Sequence, residues 1–382
     1  MTKLKDICRF QSGGTPSRGN QEYFNGNIPW ITTVALNGGF IDGTDAVEWI
    51  TEKAIASSAA KVVPENSIMV GTRVGIGKIA INKVPMSTSQ DIISLIDIDE
   101  DRWDKQFLCR LILANNQYLH SQARGATIKG IKIEVLAELS IPNIPLEEQK
   151  HIASVLGRID ALIQRHTLQA EYLNQLVKSR FIELFEGESY VQVSFGDICC
   201  FLRNGANIKQ TKGAGGFPIT RIETLSNDVF NTDRLGYADI TDLQRYENYV
   251  LHKGDILISH INSVAYLGRA VQYKGQLDSP IIHGMNLLCA RLLEGYDPTY
   301  VEWFFKTPRA KDYISTITKK AVNQASITTT DLKGMQIPSP PIELQRQFAA
   351  FVEQTDKSKC EIQQSLEKLG TLKKALMQKY FG

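Results

Sequence analysis

The stretch Ile141–Ala153, which reads IPNIPLEEQKHIA, returns as IPSPPIELQRQFA at Ile337–Ala349, 196 residues further along the chain. Residues 131–186 align with 327–382 without a gap, and fourteen of the 56 pairs are identical. Unrelated segments of average composition would share roughly three or four. A long repeat of this kind indicates two copies of one structural unit. Such a chain suits a partner that is itself two-fold symmetric, and duplex DNA is the leading example.

Each copy of the repeat leads into an apolar stripe with three-or-four spacing. The stripe that starts at Leu146 predicts a helix of about 38 residues, roughly 57 Å long. A second stripe starts at Ile342, although Thr355, Ser358 and Lys359 weaken its middle. Two stripes too long to bury against a small domain are expected to pack on each other as an antiparallel coiled coil. The alternative is that each helix packs on its own domain.

The segments before the two helices show short apolar runs separated by Gly, Pro, Asn and Asp, which predict strands. Residues 104–121 and 300–315 each predict one helix that closes its domain. The predicted fold class is therefore α/β (α+β), with two similar domains separated by two long helices and a pseudo-two-fold internal repeat. The predicted boundaries are 1–145 and 188–340 for the domains, and 146–187 and 341–382 for the helices.

Composition is ordinary for a globular protein, with 43% hydrophobic and 22% charged residues in 382. The net charge of +2 is weaker than that of many DNA-binding modules, which suggests that a partner subunit supplies part of the phosphate contact. No apolar run reaches about 18 residues, and the N-terminus lacks the apolar core of a signal peptide. The six cysteines show no CxxC spacing. We therefore expect a cytoplasmic protein with reduced thiols and no membrane contact.

Motifs for catalysis are weak. Gly71–Lys78 resembles a P-loop, but five residues separate its first Gly from the Gly-Lys pair instead of four. Ile79 also stands where a P-loop has the Ser or Thr that binds Mg²⁺. Ser339-Pro340-Pro341 lacks the aromatic residue that a base-flipping methyltransferase places after its prolines. The six histidines have no metal-like or triad-like companions in sequence. The chain is therefore predicted to carry no cofactor, metal or catalytic site.

Polar loops before the same helix in both halves are the remaining candidates for function. Arg, Asn, Gln and Ser/Thr read base edges, while Lys and backbone N–H groups hold phosphates. Any loop contains such residues, so the signal is their paired placement. Candidates in the first half are Thr15, Ser17, Arg18, Thr32, Thr33, Arg73, Lys78, Ser89, Gln90, Arg124 and Lys129. Candidates in the second half are Arg203, Asn204, Arg221, His260, Asn262, His283, Asn286, Lys319, Lys320, Asn323 and Gln324, with His260 and His283 expected at the surface.

The doubled signature, the Arg124-Gly125-Ala126-Thr127 lead-in and the run Gly254–Ser259 resemble the specificity subunit of a type I restriction–modification system. The resemblance covers the whole chain. It implies two target-recognition domains, a split double-stranded DNA target with one half per domain, and helices that set the spacer. It also implies two partner modification subunits that methylate adenine N6 with S-adenosylmethionine, and, where present, restriction subunits that use ATP and Mg²⁺. The second copy departs from the family before its helix, where it reads Val322-Asn323-Gln324-Ala325-Ser326.

The favoured interpretation is a non-catalytic DNA-recognition subunit. One alternative is a methyltransferase or nuclease fused to a specificity module, although its motifs are missing. Another is a coiled-coil adaptor without DNA contact.

Overall fold

The computed structural model describes residues 2–125, 129–186, 189–211, 215–226, 228–320 and 324–382. The chain divides into two compact units. Unit 1 comprises 1–167 and 364–382, and unit 2 comprises 168–363. Two 40-residue helices, Leu146–Phe185 and Ile342–Phe381, each contribute one end to each unit, so both helices predicted from the apolar spacing are confirmed.

Unit 1 combines short strands with short helices. Its strands β1 to β11 are Thr2–Lys3, Arg9–Ser12, Phe24–Ile31, Phe40–Ile41, Glu48–Ile50, Val62–Val63, Ile68–Gly71, Ile79–Asn82, Met86–Thr88, Ile92–Ile96 and Ser140–Ile141. Its helices α1 to α4 are Glu52–Ser57, Lys105–Ala114, Asn116–Ser121 and Ile133–Ala137, and the long helix Leu146–Phe185 is α5. Single 3-10 turns occupy Leu4–Asp6, Gln21–Tyr23 and Gly43–Asp45.

Unit 2 repeats this plan. Its strands β12 to β25 are Gln192–Ser194, Cys199–Asn204, Gln210–Thr211, Phe217–Ile219, Leu225–Ser226, Val229–Phe230, Gly236–Ala238, Ile256–Ser259, Ile261–Asn262, Ala270–Gln272, Leu287–Leu292, Lys319–Lys320, Ala325–Ser326 and Gln336–Pro338. Its helices α6 to α8 are Pro298–Phe304, Pro308–Ile317 and Thr329–Lys333, and the long helix Ile342–Phe381 is α9. Its 3-10 segments are Phe195–Ile198, Ile222–Thr224, Thr232–Arg234, Gln244–Tyr249 and Val264–Tyr266.

A matching antiparallel sheet lies in each unit. The order β2-β10-β7-β8 in unit 1 corresponds to β13-β22-β19-β21 in unit 2, and unit 1 adds β4 at the edge. Each unit is also closed by its first strand, which pairs with the last strand before a long helix, β1 with β11 and β12 with β25. The apolar runs before the long helices form strands, as predicted, for example at Ile68–Gly71, Ile79–Asn82, Ile92–Ile96 and Ile256–Ser259.

The prediction of one closing helix in each half is wrong. Residues 104–121 form α2 and α3, which meet at Asn115, whose side chain donates to the Leu111 carbonyl at 2.9 Å. In unit 2, α6 ends before Pro308, which lacks an N–H and begins α7. Thr307 caps this second helix by accepting from the backbone N–H of Ala310 at 3.3 Å. Local polar caps therefore divide a stretch whose apolar spacing is continuous.

The two long helices run antiparallel where they meet. In unit 1, an early residue of α5, Asp160, forms an ion pair with a late residue of α9, Lys373. In unit 2, the late α5 residues Phe181 and Phe185 contact the early α9 residue Phe348, with ring centroids 5.4 and 5.5 Å apart. Both helices also pack on the β-rich part of each unit, so the two predicted packing modes occur together.

The glutamine of the repeated signature explains why the motif recurs. Gln149 and Gln345 are 1% and 0% exposed. Each accepts the backbone N–H of an aspartate that caps a short helix earlier in the same half, Asp104 of α2 at 3.0 Å and Asp297 of α6 at 2.9 Å. Each also donates to the carbonyl five residues before it, at 2.8 Å in both copies. One buried side chain thus joins the start of a long helix to the start of α2 or α6.

Cys8 and Cys199 occupy equivalent places in the two units. Each thiol donates to the carbonyl four residues earlier, at 3.2 and 3.1 Å. Burial raises the pKa of both thiols to about 12, so they stay protonated and serve packing. None of the helices within the described residues is long and apolar enough to cross a membrane.

Candidate nucleic-acid interface

A short hairpin in unit 1 holds the polar loop that precedes α5. Arg124 and Gly130 exchange two backbone hydrogen bonds of 2.9 Å, and the Ile131 N–H donates to the Thr72 carbonyl at 2.8 Å. The hairpin therefore lies directly beside Arg73. A Cβ on Gly130 would lie 2.9 Å from the Arg73 side chain, so this close approach requires glycine. Residues 126–128, which include Ala126 and Thr127 of the lead-in, lie outside the described residues.

Three predicted residues, Arg73, Gln90 and Arg124, line one surface hollow at this hairpin. We call it the unit 1 hollow, and its other polar residues are Asp91, Gln122, Lys132 and Glu134. The Thr15 hydroxyl hydrogen-bonds to the Gln90 side-chain amide, which adds a fourth predicted residue.

Arginine charge in the unit 1 hollow is only partly neutralised. The Arg73 guanidinium lies 4.0 Å from the Asp91 carboxylate, and its side chain is 56% exposed. Such a pair contributes little in water, so most of the guanidinium donors remain available. Together with Arg124 and the Gln90 amide, they are the donor set that binds phosphates and base edges.

Unit 2 repeats the hairpin attachment. The Ile327 N–H donates to the His260 carbonyl at 2.9 Å, and Ile327 is the repeat partner of Ile131. Strand β24 pairs with both β20 and β23, so Asn262 and Lys320 flank Ala325. Gln324 is exposed at the start of this strand, while Asn323 lies outside the described residues. The neighbouring Lys319 ammonium lies 3.6 Å from the Asp331 carboxylate.

The remaining predicted residues of unit 1 are not gathered in the hollow. Arg18 forms an ion pair with Glu48, and its guanidinium lies 5.5 Å from the Phe24 ring centroid and 5.7 Å from that of Trp30. Thr33 and Ser89 are only 5% and 4% exposed, so the fold buries two side chains that were predicted to contact DNA. The others lie outside the interior: Ser17, Lys78 and Lys129 are exposed, and Thr32 is half-buried.

In unit 2, the predicted residues Arg203 and Asn204 are the last two residues of β13, and Arg221 follows β15. The Arg221 Nε donates to the Gln210 side-chain oxygen at 2.6 Å. Asn204 is exposed at the end of β13, and Asn286 is half-buried just before β22. Arg203 is half-buried and lies against aromatic rings.

His260 and His283 are not surface residues, so that prediction is wrong. They are 5% and 1% exposed. Burial lowers the pKa of both imidazoles, which favours the neutral form, although a hydrogen bond to the Asn286 backbone opposes this at His260. The polar residues around His260 and His283 suggested surface loops, but both imidazole rings are buried beside the central sheet of unit 2.

Sequence reasoning missed Gln122 and Lys132 in the hollow, and it missed Tyr249, whose ring centroid lies 4.5 Å from the Arg203 guanidinium. The repeat offered a signal for the first two, because they flank the hairpin that both halves share. Nothing in the sequence pattern marks Tyr249. No group of three or more potential metal ligands occurs within the part of the chain that the structure describes.

Comparison with known proteins identifies related chains. The family model for the type I restriction modification DNA specificity domain matches residues 1–174 and again 188–369. A putative type I restriction enzyme specificity subunit of Methanocaldococcus jannaschii, MjaX, is 39% identical over 48% of this chain and 44% of its own length. The EcoKI specificity subunit of Escherichia coli K12 is 24% identical over 93% of this chain and 82% of its own.

The fold also has a solved counterpart. The S subunit of the type I restriction-modification system from M. genitalium superposes with a TM-score of 0.59 at 17% identity, covering 100% of this chain and 95% of that one. The chain spans less than half the length of the first archaeal relative.

Proposed function

Because the chain belongs to the family of type I restriction–modification DNA specificity domains, we propose that it recognises a split DNA target, with one half-site for each recognition domain. Specificity subunits are the non-catalytic recognition subunits of these systems. The observation that carries the proposal is the repeated attachment of a polar hairpin, Ile131 to Thr72 in unit 1 and Ile327 to His260 in unit 2.

The division of labour follows the repeat. Residues 1–145 and 188–340 serve as the two readers, and the segments 146–187 and 341–382 set the distance between the half-sites. A helix has a fixed rise of 1.5 Å per residue, so its length can measure a DNA spacer. The 40-residue helices α5 and α9 support this role.

The partners follow from the same proposal. Two modification subunits dock on this chain and supply S-adenosylmethionine-dependent adenine methylation. Restriction subunits, where the system has them, bring ATP and Mg²⁺. The chain itself contributes sequence recognition, and the weak net charge of +2 supports a division in which partners share the phosphate contacts.

The test is the methylation pattern of the assembled complex. The chain is co-expressed with its modification subunits, and N6-methyladenine is mapped across the host genome. We expect a motif of two defined halves separated by an unspecified spacer. Inserting four residues after Thr167 should lengthen the spacer by about two base pairs, because the insertion adds about 6 Å of helix.

Four results would contradict the proposal. A motif without two halves removes the two-reader model, and an unchanged spacer removes the helices as the measure of distance. Methyl transfer by the isolated chain would favour the alternative of a fused methyltransferase. A salt-independent interaction with duplex DNA would exclude phosphate contacts of the expected kind.

A further inference from the structure

A ladder of alternating cationic and aromatic side chains crosses unit 2. The Arg291 guanidinium lies 4.6 Å from the centroid of the Phe201 ring, and the Arg203 guanidinium lies 5.1 Å from the same centroid. Arg203 also lies 4.5 Å from the Tyr249 ring, whose centroid is 5.6 Å from that of His283. We call these five residues the unit 2 ladder.

Both ends of the ladder are anchored. At one end Arg291 makes two hydrogen bonds to Asp255, at 2.7 and 2.8 Å, and this carboxylate is 1% exposed. At the other end the His283 N–H of the backbone donates to the Tyr249 carbonyl at 2.8 Å. The rings and the guanidinium between them are therefore held in place before any ligand binds.

Arg203 differs from Arg291 because its charge has no carboxylate partner within the described part of the chain. Its Nε is buried and has no hydrogen-bond partner. The next residue, Asn204, is exposed, so this end of β13 reaches the surface. A guanidinium stacked between two rings has a fixed plane and keeps its terminal N–H groups for a ligand outside the stack.

Among the residues that the structure describes, the Arg203 position of the ladder has no cationic counterpart in unit 1. Arg203 lies opposite Cys289 in the central sheet, and the matching position in unit 1 is Gln11, opposite Ser94. The Gln11 side chain donates to the Val62 carbonyl at 2.9 Å instead. Phosphates are the same in both half-sites, whereas bases differ. A cationic group present in one reader alone therefore fits base recognition better than backbone contact.

Resting on the proposed function, we propose that Arg203 reads a guanine in the half-site recognised by unit 2, with Tyr249 as the positioning residue for its guanidinium. The O6 and N7 acceptors of guanine lie side by side in the major groove and accept two parallel N–H groups from one arginine. The contact needs the guanidinium in a defined plane, which the Tyr249 ring provides. Lysine offers a point charge and cannot reproduce it.

The experiment uses the full chain with its modification subunits and a duplex library in which every position of the mapped motif is varied. We expect Arg203→Lys to lower the preference for one G·C pair by about 5- to 150-fold, in one half-site only. Tyr249→Leu should lower the same preference, and Tyr249→Phe should retain it. Arg309→Lys, an exposed arginine outside the ladder, should change nothing and serves as the matched control.

Several outcomes would overturn the assignment. They are an unchanged profile for Arg203→Lys, an equal loss at every position as expected for a phosphate contact, a loss in both half-sites, or a unit 2 half-site without any G·C pair. Equal behaviour of Tyr249→Leu and Tyr249→Phe would remove the positioning role. If the unmodified complex shows no two-part motif, the proposed function fails, and this failure is distinguishable because it does not depend on Arg203.

Discussion

Phe107 contacts Phe381 in unit 1 with ring centroids 5.1 Å apart, and the equivalent pair in unit 2, Tyr300 and Phe185, lies 4.7 Å apart. Phe107 and Tyr300 each stand three residues after the aspartate that binds the signature glutamine. Around this shared pair the two units differ. Unit 2 packs further aromatic rings there, including Phe348, whose repeat partner in unit 1 is the aliphatic Ile152. The repeat thus preserves the contacts that join helix to sheet, while the side chains around them vary.

The largest difference between the units should appear at the repeat pair Phe348 and Ile152. Phe348 is 0% exposed and contacts three aromatic rings. Phe348→Ala should reduce the free energy of unfolding by about 3–5 kcal/mol, because it leaves a large cavity. Ile152→Val should reduce it by about 0.5–1.5 kcal/mol. Urea unfolding of both variants measures the two losses, and equal losses would contradict the large cavity expected at Phe348.

Replacing either signature glutamine, Gln149 or Gln345, by alanine should lower the free energy of unfolding by a similar amount. Gln345→Ala leaves the Asp297 N–H and a carbonyl without partners in a buried site, at a cost of about 1–3 kcal/mol for each orphaned group. Gln149→Ala should cost a similar amount in unit 1. Gln347→Ala, on the exposed face of the same helix, is the control and should be neutral. A glutamine that matters in one unit alone would show that the repeated motif has diverged in its structural role.

Recognition should be separable between the halves. Arg73→Ala or Gln90→Ala should relax one half-site, whereas Asn262→Ala or Asn286→Ala should relax the other. A lost bidentate base contact weakens discrimination by about 1–3 kcal/mol, while a lost phosphate contact weakens binding to all sequences alike. Binding is measured on two probes, each with one half-site scrambled. Equal loss of discrimination at both half-sites by a unit 1 variant would contradict two independent readers.

Acid should destabilise unit 2 through His260 and His283. Burial lowers the pKa of both imidazoles in the folded chain below the ordinary value of about 6.5, so the unfolded chain binds protons first as the pH falls. Stability is therefore fully present above about pH 6.5 and declines below it. Urea unfolding at pH 7.5 and pH 5.5 should show a smaller acid loss for His283→Gln than for the unmodified chain. An identical loss would place the acid sensitivity elsewhere.

The smallest effect is expected at the repeated aspartates of the long helices. Asp356 lies 3.2 Å from Lys274 and 3.3 Å from Lys359, with its side chain 41% exposed. Exposed pairs contribute about 0–1 kcal/mol, so Asp356→Asn should change the free energy of unfolding by less than about 1 kcal/mol. Asp160→Asn should cost more, because it removes the partner of Arg110, which is only 14% exposed. Thermal unfolding at low and high salt tests this order.

Much of the architecture could be predicted because it depends on periodicity. The spacing of apolar residues gave both long helices, and the repeat gave two similar units. The prediction of one closing helix in each half was wrong, because a single capping residue such as Thr307 before Pro308 divides a helix without changing the spacing of its apolar residues. The sequence predicted the candidate site residues as a set of loop side chains. Of these, Arg73, Gln90 and Arg124 share the unit 1 hollow, and Thr15 joins them by its hydrogen bond to Gln90.

The sequence by itself determined the repeat, the two long helices and the family, and it marked the two signature glutamines as equivalent positions. Each of these features depends on residue types at a fixed separation along the chain. Tertiary structure decided which polar side chains reach the surface. His283 and Asn204 look equally available in the sequence, yet one is 1% exposed and the other lies at an exposed strand end. The ladder that holds Arg203 joins residues up to 90 positions apart, from Phe201 to Arg291, and only the pairing of β13 with β22 brings them together.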